Sequence, residues 1–593
     1  MIRRFISVLL PTALLAAGCA EVESPLLEEA ETSAAVLATK CVNTVEKADD
    51  GTLLLYLEED VALRLAEGEA VPEWEQVCAD LGVDHVEKLF PQTDDELSRR
   101  YGLHRWFMVS FPASADVQKV AQGMARLNNV KGIQFNTQYE RKFGSEAPIA
   151  WKPFQGRGYG EFNLPFNDPM LVDQWHYINN KDMSVAETSR TGADINVKNA
   201  WGLTGGDPRI IVAVCDEGVK YTHPDLVENM WVNTAEIPDN NIDDDNNGYV
   251  DDIHGWNFLH TEKYPKKISW NEPGDVSHGT HVAGTVAAVN NNGLGVSGVA
   301  GGTGNGDGCR IMSCQVFSGS SSATVGARAR AYHYAAQMGA SVLQCSYGNE
   351  GGYITSDNMF ETSYNVEMAA LRYFREYKSE NPSCNASPVS KNIIVFAAGN
   401  EGSPISGYPA AHKEIISVTA FGPDYLPTNY TNYGPGSNIA APGGDVAINM
   451  TTTSERSQIL STTAVESENY DSNYGWMQGT SMACPHVSGV IALGMSYALK
   501  IGKKFDYDEF IGILYSSVND IDYYIETCTK EANGMAFDLT PYWRKMGTGA
   551  LDAWKFLMNI EGTPNLVAKI GEESKVSLVN SFGASAGNLT YTR

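Results

Sequence analysis

The chain has 593 residues, 43% of them hydrophobic and 10% aromatic, which is several times the length of an ordinary domain and ample for a large packed core. Its 43 Lys and Arg face 72 Asp and Glu, a formal net charge of −29. That charge repels a phosphate backbone and argues against nucleic acid as a partner, while the composition argues against disorder and against a protein of many membrane spans.

At the start, an apolar run from Phe5 to Ala17 follows Arg3 and Arg4 and ends at Gly18-Cys19. It is too short to span a bilayer, and its basic start and small-residue exit are those of a secretory signal peptide over residues 1–18. Ala16-Ala17-Gly18-Cys19 resembles the lipobox of bacterial lipoproteins. The resemblance implies acylation of Cys19, a lipid-only membrane anchor and an extracytoplasmic place in the cell envelope, at the outer membrane or cell surface. Residues 19–39 are acidic and small and read as a tether. Nine cysteines follow Cys19, an odd number with no CxxC pair and four in apolar patterns. Most are expected to be free core thiols, and no bridge can be assigned to Cys309 and Cys314.

Residues 40–140 show strand runs at 52–57, 84–90, 105–111 and 130–136 with helical patterns at 71–80 and 115–128. This is the β-α-β-β-α-β order of a small ferredoxin-like unit. Residues 141–166, rich in Gly and Pro, read as a linker. From 167 to 560, apolar runs such as IIVAV (210–214), RIMSCQVF (310–317) and NIIVFAA (392–398) alternate with helical patterns. Runs without polar alternation are buried on both faces, so one large α/β domain with a parallel sheet flanked by helices is expected. Residues 561–593 resume strand-like alternation and read as the start of a further, truncated β domain.

Three segments of the large domain each place a reactive side chain at a strand end or helix start. The strand IIVAVCDEGV delivers Asp216 to its carboxyl end, HGTHVAGT opens a helix at His278, and GTSMACPHVSG puts Ser481 at the mouth of a long apolar helix. A serine hydroxyl is inert at its own pKa, so it needs a base, and that base needs a carboxylate to hold it. These motifs, in the order Asp, His, Ser, resemble those of the subtilisin-like serine proteases, the subtilases, over roughly residues 167–560. The resemblance implies the subtilisin-like α/β fold and a serine endopeptidase acting on proteins or peptides through an acyl-enzyme. Ser481 would be the nucleophile, His278 the general base and Asp216 its orienting carboxylate. It implies further that Asn400 in VFAAGNEGS donates to the oxyanion, and that Ser346, Tyr347 and Gly348 in CSYGNEGG line the substrate cleft. Glu217 stands where the family usually has Ser or Thr, and is expected to act on the pKa of His278. An inactive binding or scaffold protein on the same fold is the rival reading. A zinc pair at His278 and His281 lacks the spacing for a metallopeptidase, and GGTGNGDG (301–308) lacks the Lys-Ser/Thr ending of a phosphate loop.

Calcium is the expected cofactor. In DNNIDDDNNGYVDD (239–252), Asp243, Asp245 and Asn247 are spaced two apart before Gly248, with Asp252 beyond, so hard oxygens converge around a sharp turn. The family resemblance implies a second calcium site at Asp168, Asp225 and Asn291. It also implies that residues 40–140 are a propeptide that assists folding, inhibits, and is self-cleaved within 136–167. A monomer is expected.

Overall fold

The computed structural model describes residues 35–139, 147–152, 164–182, 184–259, 267–319, 323–379, 386–446, 454–465, 473–525, 529–532 and 535–562. The signal peptide, Cys19, most of the tether, Cys384, Cys528 and the segment 563–593 lie outside the described residues.

Strands β1 (Ala48–Leu57), β2 (His85–Lys88), β3 (Trp106–Ser110) and β4 (Val130–Thr137) form an antiparallel sheet in the order β2-β3-β1-β4. Two helices, Pro72–Leu81 and Val117–Ala125, cover one face. Their ends follow local chemistry: Pro72 starts the first, Gly82 in the left-handed region closes it, and the Asp116 carboxylate caps the second. Side chains alternate across a strand, so Leu53, Leu55 and Leu57 meet these helices while Leu54 faces the other way. With Leu89, Phe90, Trp106 and Met108, Leu54 packs into the core of the larger domain. The unit therefore buries both faces, one of them against its neighbour.

The larger domain is reached through β5 (Ile149–Ala150). It contributes β6 (Ile211–Glu217), β7 (Gly255–Asn257), β8 (Arg310–Phe317), β9 (Val342–Cys345), β10 (Ile393–Ala397), β11 (Ile416–Phe421), β12 (Ile439–Pro442), β13 (Ile459–Thr462), β14 (Tyr474–Met477), β15 (Val518–Asn519), the hairpin β16 (Thr529–Ala532) and β17 (Met535–Asp538), and β18 (Ala550–Leu551). Nine of these form one sheet, β15-β18-β12-β11-β10-β9-β6-β8-β7, parallel except for the β15–β18 pair. Every residue of β6, β9, β10 and β11 is buried, which is why these strands read as unbroken apolar runs.

Alternate residues of β6 point to opposite layers. Val212 and Val214 meet the helices His278–Ala287 and Thr480–Lys500, whereas Ile211, Ala213 and Cys215 meet Val325–Gln337 and Asn365–Glu376. Cys215, Cys314 and Cys345 lie in register on three neighbouring strands, and all seven described cysteines are free thiols. Among the described residues Thr480–Lys500 is the one helix long and apolar enough to cross a membrane, and it is a buried core element.

Strand order reverses at β6. The chain runs from β6 outward to β7 and β8 on one side and resumes at β9 on the other. Such a switch point opens a crevice at the carboxyl ends of the strands, where open α/β sheets place their sites.

Candidate active site

At that crevice the penultimate residue of β6 is Asp216, buried, whose Oδ1 lies 2.7 Å from Nδ1 of His278. His278 is the first residue of the helix His278–Ala287, and close packing sets its place. A Cβ on the next residue, Gly279, would lie 2.1 Å from the carbonyl oxygen of Glu217, so only glycine lets the helix approach the strand end. Glu217 has a structural role that the sequence did not announce. Its carboxylate accepts the backbone N–H of His278 (2.6 Å) and of Val276 (3.1 Å), groups that a helix start leaves without partners. It holds the backbone that carries the imidazole. His281, one turn on, sends Nε2 to the carbonyls of Ile459 and Gly475 at 3.1 and 3.2 Å, away from His278's carboxylate partner. Burial pushes its pKa down to about 3, so it stays neutral.

Ser481 is the second residue of Thr480–Lys500, and Pro485 lies inside that helix. Proline has no N–H, so the carbonyl four residues back, that of Ser481, loses its helical donor. The Ser346 hydroxyl supplies one at 2.8 Å, and Ser481 Oγ in turn donates to the Ser346 carbonyl at 3.2 Å. His278 Nε2 is buried without a hydrogen-bond partner. The structure thus brings Asp216 to His278 and Ser346 to Ser481, and leaves the hydroxyl and the imidazole unbonded to each other.

Asn400 follows β10 at a tight bend. Gly399 has φ +107°, and a Cβ there would sit 2.3 Å from Asn432 Nδ2, so the bend requires glycine. Asn400 Oδ1 accepts the backbone N–H (2.7 Å) and the hydroxyl (2.8 Å) of Thr480. Oδ1 is thereby fixed on the helix start and the amide NH2 is left as the donor at the positive end of the helix. Gly348 sits against the carbonyl of Tyr408. Tyr347 packs between Phe317 and Phe396 and shares a 2.9 Å hydrogen bond with Tyr332, so its ring is packed against the core on the Val325–Gln337 side of the sheet.

Sequence reasoning passed over Gln344 in β9. Its Nε2 donates to Ser346 Oγ at 2.8 Å, and its Oε1 accepts from Ser488 (2.5 Å) and from the thiol of Cys484 (3.3 Å). The signal was a lone amide within a strand otherwise buried and apolar.

Two acidic clusters flank the domain. Glu236, Asp243 and Asp245 bring carboxylate oxygens within 4.8 Å of one another, and Glu236 was not singled out in the sequence. Asn247 and Tyr334 both donate to Asp252 Oδ2, and burial pushes Asp252 up to about 7. At the second cluster Asp168 accepts Ser297 Oγ (2.6 Å) and the Asn291 and Asn292 amides, and burial pushes Asp225 up to about 8. Asn292, one place beyond the residue picked from sequence, reaches Asp225 at 2.8 Å, while the Asn291 side chain turns to the carbonyl of Thr303. Clustered, desolvated carboxylates raised by burial suit a hard cation bound through oxygen.

Residues 207–511 match the family model for the Subtilase family, Peptidase_S8. The chain belongs to the subtilase family. It is 29% identical over 294 residues to the thermophilic serine proteinase of Bacillus sp. (strain AK1), covering 50% of this chain and 54% of that protein. It is 30% identical over 367 residues to the extracellular basic protease of Dichelobacter nodosus, covering 59% and 51%. The chain thus spans about half the length of the curated relatives it matches. Fervidolysin from Fervidobacterium pennivorans, a keratinolytic enzyme related to subtilisin, aligns with a TM-score of 0.51 at 19% identity over 86% of this chain and 61% of that one. The likeness is one of fold, and it carries the subtilisin-like α/β architecture with its mostly parallel central sheet.

Proposed function

We propose that this protein is a serine endopeptidase that cleaves proteins or peptides through an acyl-enzyme on Ser481. The observation that carries the reading is the buried 2.7 Å contact between His278 Nδ1 and Asp216. It commits one ring nitrogen and leaves the other, unpartnered, as the base. One rotamer change frees Ser481 Oγ from the Ser346 carbonyl. Oγ then attacks the peptide carbonyl carbon while His278 Nε2 takes its proton. The oxyanion meets the Asn400 amide and the backbone N–H of Ser481 at the helix start. The C–N bond breaks as His278 returns the proton to the leaving amine, and water repeats the sequence on the acyl ester. Asp216 stays ionised and stabilises the imidazolium. Hydrolysis of an unfolded protein substrate by the wild type and not by Ser481→Ala is the expected result, and equal hydrolysis by both removes the reading.

Residues 40–140 are, in this reading, the propeptide. Its apolar face seals against the helices Val325–Gln337 and Asn365–Glu376, and the end of β4 meets the start of the first of these, Asn136 Oδ1 accepting the Gly326 N–H at 2.9 Å. The segments at 136–139 and 149–151 are paired into the fold, and self-cleavage is proposed outside them, within 136–167 as the sequence suggests. Calcium belongs at Glu236, Asp243, Asp245 and Asp252, and at Asp168, Asp225 and Asn292, where it would supply the positive charge these carboxylates lack. The relatives' extracellular names support an extracytoplasmic location; export behind a signal peptide and a Cys19 lipid anchor are proposed from the lipobox-like sequence alone.

A further inference from the structure

Tyr139 is the last described residue as the chain leaves the upstream unit, and it is buried in the larger domain. It arrives by strand pairing: Gln138 forms an antiparallel bridge with Thr324, and the Tyr139 N–H donates to the Ala323 carbonyl at 3.2 Å. Its ring lies over the guanidinium of Arg328, 3.3 Å from the centroid, with Tyr347 and Tyr364 at its sides. Its hydroxyl donates to Glu367 Oε2 at 3.1 Å.

Arg328 and Glu367 form a bidentate pair, 2.8 Å at both bonds, with neither side chain exposed at all. A buried ion pair adds little net stability against an apolar filling, so its presence under an incoming aromatic ring calls for another account. The two charges complement a phenol. The cation meets the ring face, and the carboxylate takes the hydroxyl hydrogen. Tyr332 also donates to Glu367 Oε1 at 3.2 Å, so one further donor completes the carboxylate and Tyr139 is that donor.

The pocket is joined to the catalytic crevice through the chain, because Tyr347 at its side follows Ser346, whose carbonyl holds Ser481 Oγ. A second extended peptide pairing along residues 323–324 would set a side chain on Arg328 and Glu367 and run its following residues toward Ser481.

We infer that Arg328 and Glu367 form a tyrosine-recognition site for peptide substrates, selecting a phenol at one fixed position amino-terminal to the cleaved bond, and that Tyr139 fills it until the upstream unit leaves. The inference rests on the proteolytic reading above. Phe keeps the ring contact but leaves Glu367 short of a donor in a dry pocket, Leu loses both, Lys and Arg meet the guanidinium, and Asp and Glu meet Glu367.

The test uses the purified enzyme and a peptide series with a single varied position on the amino-terminal side. Scanning Tyr through the peptide locates the position. There kcat/KM is expected to fall at least about tenfold from Tyr to Phe and further to Leu, the size of one lost hydrogen bond to a charged acceptor. Glu367→Gln should remove the Tyr-over-Phe ratio. Should Glu367→Gln misfold, the wild-type Tyr, Phe and Leu ratios alone decide. Turnover of the series with Tyr and Phe equal at every position overturns the inference and leaves the protease standing, as does an unchanged ratio in a folded Glu367→Gln enzyme. No cleavage of any peptide removes the proteolytic reading and the inference with it.

Discussion

Pro485 acts on Ser481 through the helix backbone. By withholding an N–H it frees the Ser481 carbonyl for Ser346, and that contact ties the start of the helix to the end of β9. Asn400 works from the other side, its Oδ1 on Thr480 and its NH2 free for a developing oxyanion. Asn400→Ala should leave the melting transition nearly in place and lower kcat by roughly 10²- to 10³-fold with little change in KM, the loss found when such a donor is removed from subtilisin. Equal losses in kcat and in folded protein would assign Asn400 a capping role instead. Glu217 gives a sharper contrast. Glu217→Gln keeps one acceptor for the His278 or Val276 N–H, whereas Glu217→Leu keeps none, so kcat should fall modestly in the first and by at least an order of magnitude in the second. A Gln variant with a shifted pH profile and full activity at its new optimum would show instead that Glu217 acts on the imidazole charge.

The residues that face one another across the crevice were legible because each stands in a long motif whose strand or helix context is local. The backbone-holding role of Glu217, and Gln344 and Asn292 altogether, were not, since each acts through a hydrogen bond to a residue far away in the chain. At the scale of elements the same division holds. Strands β6, β8, β9, β10 and β11 appear where unbroken apolar runs stood, while the sheet order and the reversal at β6 depend on long-range pairing that no local pattern carries. The approach of the His278–Ala287 helix to β6 hangs on Gly279. Gly279→Ala should abolish activity and lower the melting temperature by several degrees, because the methyl group meets backbone that cannot move aside without displacing His278. A fully active, fully stable Gly279→Ala enzyme would contradict the placement.

Two histidines buried in the helices beside the site give the fold an acid limit. Burial pushes both His281 and His486 down to about 3 from an ordinary 6.5. Between those values the unfolded chain binds protons that the folded one refuses, so stability is complete above pH 6.5 and declines as the pH falls toward 3. Each histidine contributes a slope of about 1.4 kcal/mol per pH unit in that window. Asp225 and Asp252, raised by burial, have the opposite slope unless a bound cation keeps them ionised. Thermal unfolding is therefore followed from pH 7.5 to 4 in saturating calcium; the melting temperature should decline, and a flat one across the window would contradict the histidine account.

At the scale of the whole molecule, the upstream sheet was legible in its strand order, but its second buried face was not, because Leu54, Trp106 and Met108 read equally well as the unit's own core. In the proposed reading the carboxylates at 236–252 and at Asp168 and Asp225 hold a cation, which would link stability to it. An ion that binds only the folded chain stabilises it by mass action, so a chelator should lower the melting temperature and added calcium should restore it. A transition unmoved by chelation, with calcium shown to be absent, would remove the metal from the account.

The account centres on one activated serine. A fluorophosphonate reacts with a serine hydroxyl only where a neighbouring base takes its proton, so mass spectrometry of the labelled protein reads the relay directly. The expected result is a single adduct on the peptide carrying Ser481, lost in His278→Ala while that variant melts as the wild type does. A folded wild-type protein that takes up no label at Ser481, or a His278→Ala variant labelled as fast as the wild type, would contradict it.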